Sequence, residues 1–438
     1  MMRHLDEART DIIASLHEWA NTRNRVERIV LIEDVFGQFR VVVWPSDSET
    51  ATIKAGLDSR LAEIGGPYWT SEVWIATEGS QADRDLYERA WAESSPAEGS
   101  DRVRIADRYR NRGGWLRGSE EPPWQVGGEN AFPPIIVFYS FKGGVGRSTA
   151  LASFAIQRAR EGERVAVVDF DLDAPGVGVL LAADESGTTA PWGVTDYFLE
   201  YPYGHVDLQD YYHVCRRSGI TGAGEIAVFP SGQLKRDYLG KLARAELEPP
   251  IDASVPPPLL RLLDQIRAEL SPRWILLDAR TGLSESTGML LNGLAHLYVL
   301  FGTTSEQSWQ GLRLILERLG GDRVIAGKRQ LECILVQALV PDHPQIARIA
   351  VPQFRDRARD EFADHYYAPD PQDPNEDRFW YVRDLEDDDA PHSPAAIPYQ
   401  TWLSHFNELD EVADKLAELP EYKSLAARIA ERVMRSQE

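Results

Sequence analysis

Thiols are scarce in this chain. Two cysteines, Cys215 and Cys333, stand far apart in 438 residues, in apolar or mixed settings and without metal-ligand spacing. A disulfide framework is thereby excluded, and both read as buried structural thiols of a reducing cytosol. Long apolar runs are missing as well. The N-terminal MMRHLDEARTD has no apolar signal core, and no run reaches membrane-spanning length, so the expectation is a soluble, cytoplasmic protein without stable membrane insertion. Positive charge is in deficit: 47 Lys and Arg face 69 Asp and Glu, a net charge of −22. Such acidity disfavours general affinity for nucleic acid or anionic membranes unless a local basic patch overrides it.

The remaining composition is that of a globular protein, 43% hydrophobic and 26% charged, and the length suggests two or three domains. The most informative stretch is Ile135 to Gly178. An apolar run, Ile135 to Phe138, has the length of a buried strand. The turn Lys142-Gly143-Gly144-Val145-Gly146-Arg147-Ser148-Thr149 follows, then a helical pattern with Leu151, Phe154, Ala155 and Ala159. A second strand, Arg164 to Val168, runs into Asp169, Asp171 and Asp173. Without Cβ atoms, Gly143, Gly144 and Gly146 let consecutive N–H groups turn inward around phosphate oxygens. The helix N-terminus adds positive potential, and Ser148 stands where a P-loop hydroxyl meets Mg²⁺.

This KGGVGRST loop with its D-x-D strand end resembles the deviant Walker A ATPases, ParA, MinD and their relatives in the SIMIBI class of P-loop NTPases. The resemblance covers Pro133 to about Val340, continues patchily to the C-terminus and omits the first 130 residues. It implies a doubly wound, mostly parallel α/β sheet that binds ATP and Mg²⁺. By that likeness Lys142 is the signature lysine that reaches the partner subunit's phosphates in an ATP-state homodimer, and Asp171 positions the attacking water. Residues 143–149 cradle the nucleotide, while Ser148, Asp169 and Asp278 serve the metal. Asp278 ends the strand Trp274-Ile-Leu-Leu-Asp and corresponds to the Walker B position. Asp173 has no counterpart. One departure stands out: Arg147 replaces the P-loop lysine, and a planar guanidinium is not equivalent to an ammonium point charge. Binding with slow hydrolysis is the expectation.

The chain divides, on this reading, into an α+β domain (1–112), a Gly-, Pro- and Glu-rich linker (113–132) and the ATPase domain (133–438). In the first, helices are expected at Asp6–Thr22, Ala51–Ile64 and Ala82–Ala92. A hairpin joins Val26–Glu33 to Phe39–Trp44, and Glu72–Ala76 is a strand. His4 and His17 are lone and carry no site. Arg102 to Arg117 is an arginine-dense patch. It either meets phosphates, with Tyr109 and Trp115 for stacking, or pairs with the chain's own acids or lies on a solvated helix face.

Further along, Arg280 either contacts a γ-phosphate or pairs with a nearby aspartate. Gln337 and Pro341 are weak base-contact candidates with a structural role favoured. Residues 342–396 depart from the family as an acidic, Pro-rich excursion held by aromatic anchors such as Phe379, Trp380 and Tyr381. The last helix, Glu421–Arg435, is basic and amphipathic, and packing on the domain is favoured over a membrane anchor. Three outputs remain open: a switch regulating a protein effector, including one in bacterial defence; a DNA or plasmid partition ATPase; and a nucleotide-stabilised scaffold without turnover. A tyrosine kinase is disfavoured by the lack of a C-terminal tyrosine cluster.

Overall fold

The computed structural model describes residues 4–22, 26–34, 36–46, 49–97, 99–107, 115, 121–127, 132–204, 206–245, 257–373, 378–404 and 409–435. The chain forms two compact units, Met1–Arg117 and Gly118–Glu438.

The first unit is built on a five-stranded mixed sheet. Helix α1 (Leu5–Thr22) presents Ile12, Leu16 and Trp19 at helical spacing to its core. The expected hairpin is present: β1 (Val26–Glu33) pairs antiparallel with β2 (Phe39–Pro45), and α2 (Thr50–Gly65) leads into β3 (Trp69–Ile75). After α3 (Gln81–Glu93) come β4 (Ser95–Ala97) and β5 (Ser100–Asp107), giving the order β3-β2-β1-β5-β4. Here one expectation fails. The start of the arginine-dense patch is not a helix face but strand β5, which pairs in parallel with β1. Alternating Val103 and Ile105 line the core side, a period-two signal the arginines mask. Arg102 donates to the carbonyls of Ala20, Val26 and Glu27, and Arg104 to that of Ser94 while lying over Trp91. Tyr109 and the arginines beyond residue 107 lie outside the described residues.

The second unit carries an eight-stranded sheet. Its strands are β6 (Ile135–Ser140), β7 (Arg164–Phe170), β8 (His213–Cys215), β9 (Glu225–Phe229), β10 (Trp274–Ala279), β11 (Leu297–Gly302), β12 (Cys333–Val340) and β13 (Ala395–Pro398). The order is β13-β12-β11-β6-β10-β7-β9-β8, parallel throughout except for β8 against β9. Every residue of β6, β10 and β11 is buried, as strands covered on both faces must be. This is the doubly wound parallel architecture expected from the sequence. Helix α4 (Arg147–Arg160) follows β6 and buries Leu151, Phe154, Ala155 and Ala159.

Residues 342–396 are more regular than the composition suggests. Pro344–His365 is a 22-residue helix despite Pro352 inside it, and its few apolar residues anchor through Phe354, Ala358 and Phe362. Such a charged helix has little amphipathic signal, which is why the sequence reads there as an excursion. The expected aromatic anchors are present: Trp380 Nε1 donates to Glu332 at 3.0 Å, and Tyr381 is buried with Phe379 edge to face against it. Tyr366 and Tyr367 add a second edge-to-face pair, and Tyr367 bonds His392 at 2.8 Å. The acidic run Glu386 to Asp389 is exposed, and two of its carboxylates pair at the surface, Glu386 with Arg359 and Asp389 with Arg435. The final helix, Pro420–Arg435, buries Tyr422, Leu425, Ile429 and Val433 in the same core as α4. No helix among the described residues is long and apolar enough to cross a membrane.

Candidate functional site

The central strand β10 pairs with β6 on one side and β7 on the other. Its register sets Asp278 beside Phe138 and beside Asp169. Because the three strands are parallel, the loops that follow them (141–146, 171–176 and 280–284) emerge at one edge of the sheet, where ligands of open α/β folds bind. The first loop enters through Phe141, whose ring lies against Gly311; a Cβ there would overlap it. Val145 is buried in the core and anchors the loop's middle. Gly144 and Gly146 take φ of +72° and +85°, the left-handed region that side chains resist. Gly146 precedes the first residue of α4 and supplies no side-chain cap. Among the described residues, none of the backbone N–H groups from Gly143 to Ser148 donates to a protein acceptor. Uncapped helix and loop N–H groups of this kind are an anion cradle. Lys142 is exposed on the loop without a hydrogen bond or ion pair among the described residues, and Thr149 is half-buried.

Arg147 turns inward from the first turn of α4 and is only 7% exposed. Its Nε donates to Asp278 Oδ1 at 2.6 Å, and its Nη2 to Asp171 Oδ2 at 3.1 Å. Ser148 Oγ donates to the other oxygen of Asp278, also at 2.6 Å. Burial works against the guanidinium charge, but Asp278 and Asp171 outweigh it and hold the group above its ordinary range. Complete burial pushes the Asp278 carboxyl up, with Arg147 and Ser148 pulling it back. Arg147 Nη1 is buried and has no partner.

Asp169 shapes the second loop. Its Oδ2 accepts from Gly176 and Gly178 N–H, both at 3.1 Å, and its Oδ1 from Asp171 N–H at 3.2 Å. Burial, and then the charge of Asp278, push it up to about 7. Ser231, in the turn after β9, and Tyr238, which the sequence does not mark, support the same loop. Ser231 Oγ donates to the carbonyl of Asp169 at 2.8 Å, and Tyr238 OH to that of Leu172 at 2.7 Å. Arg280 is found paired with Asp173. The third loop is fixed from below by Tyr139 OH on the Gly282 carbonyl (3.1 Å) and from within by Thr287 Oγ1 on that of Arg280 (2.9 Å). Gln337, buried at the end of β12, donates to the Ala350 carbonyl, and its Oε1 has no partner.

The donor set fits a phosphate chain with Mg²⁺. Hydroxyl and carboxylate oxygens suit a hard cation. Among the described residues no three acidic, histidine or cysteine side chains form a group that could hold a metal ion by themselves. The orphaned Arg147 Nη1 and the unpaired loop N–H groups are donors that phosphate oxygens satisfy.

Residues 132–195 match the profile of the ParA family, described as a NUBPL iron-transfer P-loop NTPase. The iron–sulfur cluster carrier protein of Salmonella typhimurium is 38% identical over 66 residues, covering 15% of this chain and 18% of that protein. Its namesake from Pseudomonas fragi is 45% identical over 51 residues, 12% of this chain and 18% of its own length. The chain thus spans less than a fifth of the length of these curated relatives. Among solved structures, pNOB8 ParA aligns with 70% of this chain and 100% of its own, at 18% identity and a TM-score of 0.44. MinD from Pyrococcus horikoshii OT3, complexed with Mg-ADP, aligns with 69% and 96%, at 16% identity and a TM-score of 0.40. Residues 132–195, which hold the glycine loop, are thus similar to the ParA family, and the sheet that carries them is the doubly wound parallel one described above.

Proposed function

We propose that this protein is an ATP-operated switch that binds Mg²⁺–ATP at the edge loops of its second unit, hydrolyses it slowly and regulates a partner protein. The observation that carries the reading is the bond from Ser148 Oγ to Asp278 Oδ2 beneath an uncapped glycine loop. Those two residues would hold the metal, with Asp169 shaping the loop beside them. Mg²⁺, when bound, neutralises charge across the phosphate oxygens. The N–H groups of Gly143 to Ser148 and the guanidinium of Arg147 bind and orient the phosphates. Asp171, whose Oδ1 is fixed by Ala174 N–H, holds a water in line with the terminal phosphate. Lys142, exposed and without a partner among the described residues, would reach the phosphate of a second copy, and this makes an ATP-state homodimer the expected active form. In such a protein the dimer is the signal and hydrolysis resets it.

The name of the relatives suggests a second reading, iron–sulfur cluster transfer, and the thiols count against it. Clusters are held by accessible thiolates, whereas Cys215 and Cys333 are both 0% exposed. Burial raises both thiols, Cys333 to about 12. A DNA-partition role meets the net charge of −22 and requires a basic face; salt-dependent DNA binding would reveal it. A nucleotide-stabilised scaffold follows if Arg147 prevents turnover. The deciding experiment is ATP turnover by the full chain beside Lys142→Ala and Asp171→Ala, with oligomeric state read by light scattering in ATP and in ADP. The switch requires an ATP dimer that Lys142→Ala loses and slow turnover that Asp171→Ala abolishes. ATP binding with neither dimer nor turnover would leave the scaffold.

A further inference from the structure

Both carboxylate oxygens of Asp278 are engaged within the protein. One oxygen takes Arg147 Nε and the other takes Ser148 Oγ, each at 2.6 Å. Asp171 gives a third oxygen to the same guanidinium at 3.1 Å. These lone pairs are the ones a divalent cation, or the waters around it, would use, and two positive groups cannot share them at contact distance. A lysine ammonium is a single point of charge; the planar guanidinium has the span to bridge two carboxylates, one on β10 and one in the loop after β7. Yet the bridge is imperfect. Arg147 Nη1 is buried without a partner, and an unmet buried donor is unfavourable. Phosphate at the glycine loop would offer that nitrogen, and the fork as a whole, better acceptors.

We propose that Arg147 is a carboxylate latch: it competes with the divalent cation for Asp278 and Asp171 and releases them when phosphate engages it. The metal site is then assembled by the nucleotide rather than standing ready for the free ion. Replacing the P-loop lysine by arginine makes loading ordered, phosphate first. The proposal rests on the Mg²⁺–nucleotide reading of the site and specifies how that site is controlled.

The test uses the full-length chain and Mn²⁺ as an electron paramagnetic resonance probe, without nucleotide. Arg147→Gln should tighten Mn²⁺ binding by at least about tenfold, and Arg147→Lys by a smaller factor, because each loosens the competitor's hold. Adding Asp278→Asn to Arg147→Gln should erase the gain. Binding of a fluorescent ATP analogue in chelator, with no metal present, should weaken in Arg147→Gln, since the phosphate loses its fork. Circular dichroism reports folding, and if Arg147→Gln does not fold, Arg147→Lys decides alone. Mn²⁺ affinity equal to or below that of the wild type in the folded variants would overturn the latch, as would a gain that survives Asp278→Asn. If the wild type binds the analogue but the substitutions leave Mn²⁺ unmoved, only the latch falls. If it binds no nucleotide with or without metal, the reading of the site falls with it.

Discussion

Arg280, in the loop after β10, donates to the carboxylate of Asp173, in the loop after β7. The pair joins two site loops that are otherwise separate in sequence by more than a hundred residues. Both side chains are partly exposed, 33% for Arg280 and 25% for Asp173, so solvent screens the attraction and the coupling should be modest, about 0.5–1 kcal/mol. A double-mutant cycle with Arg280→Ala and Asp173→Ala, followed by urea unfolding, measures it. The larger effect should be local: amide exchange in 171–176 and 280–284 should quicken together in either single variant. Exchange that rises in one loop alone would show the loops to be held independently.

The glycine loop gives a second expectation. Gly146 sits at φ +85° with nothing within 4 Å of where a Cβ would be, so Gly146→Ala pays only in backbone strain, about 1–2 kcal/mol. Gly311 differs: its φ is ordinary, but a methyl there would overlap the Phe141 ring that leads into the loop. Gly311→Ala should therefore displace Phe141 and weaken nucleotide binding from a helix that lacks any site residue. Thermal unfolding and titration with the fluorescent analogue separate the two cases. Gly311→Ala with unchanged affinity would mean the loop is set without Phe141.

The loop, helix and aspartates were legible in the sequence because each is local: glycines mark the turn, and buried strands read as short apolar runs ending in Asp278 and Asp169. What binds the site together was not. Arg147 was expected to face a phosphate, but its reach to Asp278 and Asp171 depends on the register of β10 between β6 and β7, which no local pattern encodes. Ser231 reads in the sequence only as part of a Pro-Ser turn after a strand, and Tyr238 carries no signal, since a tyrosine after a strand is common in any loop. The helix Pro344–His365 was hidden by its charge and by Pro352, and β5 by its arginines. In both, tertiary contacts supply what local preference withholds.

A pH dependence follows from His296, which ties the segment before the glycine loop to the sheet. Its Nδ1 accepts from Ile135 N–H at 2.9 Å and its Nε2 donates to the Trp124 carbonyl at 2.7 Å, an arrangement only the neutral ring can make. Burial holds it below the usual value near 6.5. The unfolded chain then takes up the proton first as pH falls. The stabilisation is present in full above about 6.5 and drains away below it until the folded ring itself titrates. His213 and His392, also depressed by burial, act in the same direction. The histidine contributions to thermal stability should therefore weaken between about pH 7 and about pH 5, by at most about 1.4 kcal/mol per pH unit for each histidine. Asp169, pushed up to about 7, takes up its proton first in the folded chain and acts in the opposite direction. His296→Asn should flatten that slope without removing it. A variant with the wild-type slope would show that His296 does not carry it.

The last helix tests whether basic amphipathic character here means a membrane or a core. Ile429 is wholly buried against α4 and the sheet, while the arginines of the opposite edge turn back on the chain. Arg432 donates to the Asp389 carbonyl and pairs with Glu332 at 3.4 Å, and Arg428 donates to the Ala390 carbonyl at 3.1 Å. Burial, and then the neighbouring Arg432, push Arg428 below its ordinary range, as befits a cation enclosed by protein rather than one spread on an anionic surface. Ile429→Ala should cost about 2–5 kcal/mol of stability through the cavity it leaves, read by urea unfolding. Vesicles rich in anionic lipid should sediment without the wild-type protein. If Ile429→Ala is nearly silent and the wild type pellets with vesicles in a salt-dependent way, the helix leaves its groove to act as an anchor, and its packing in the structure is only one of two states.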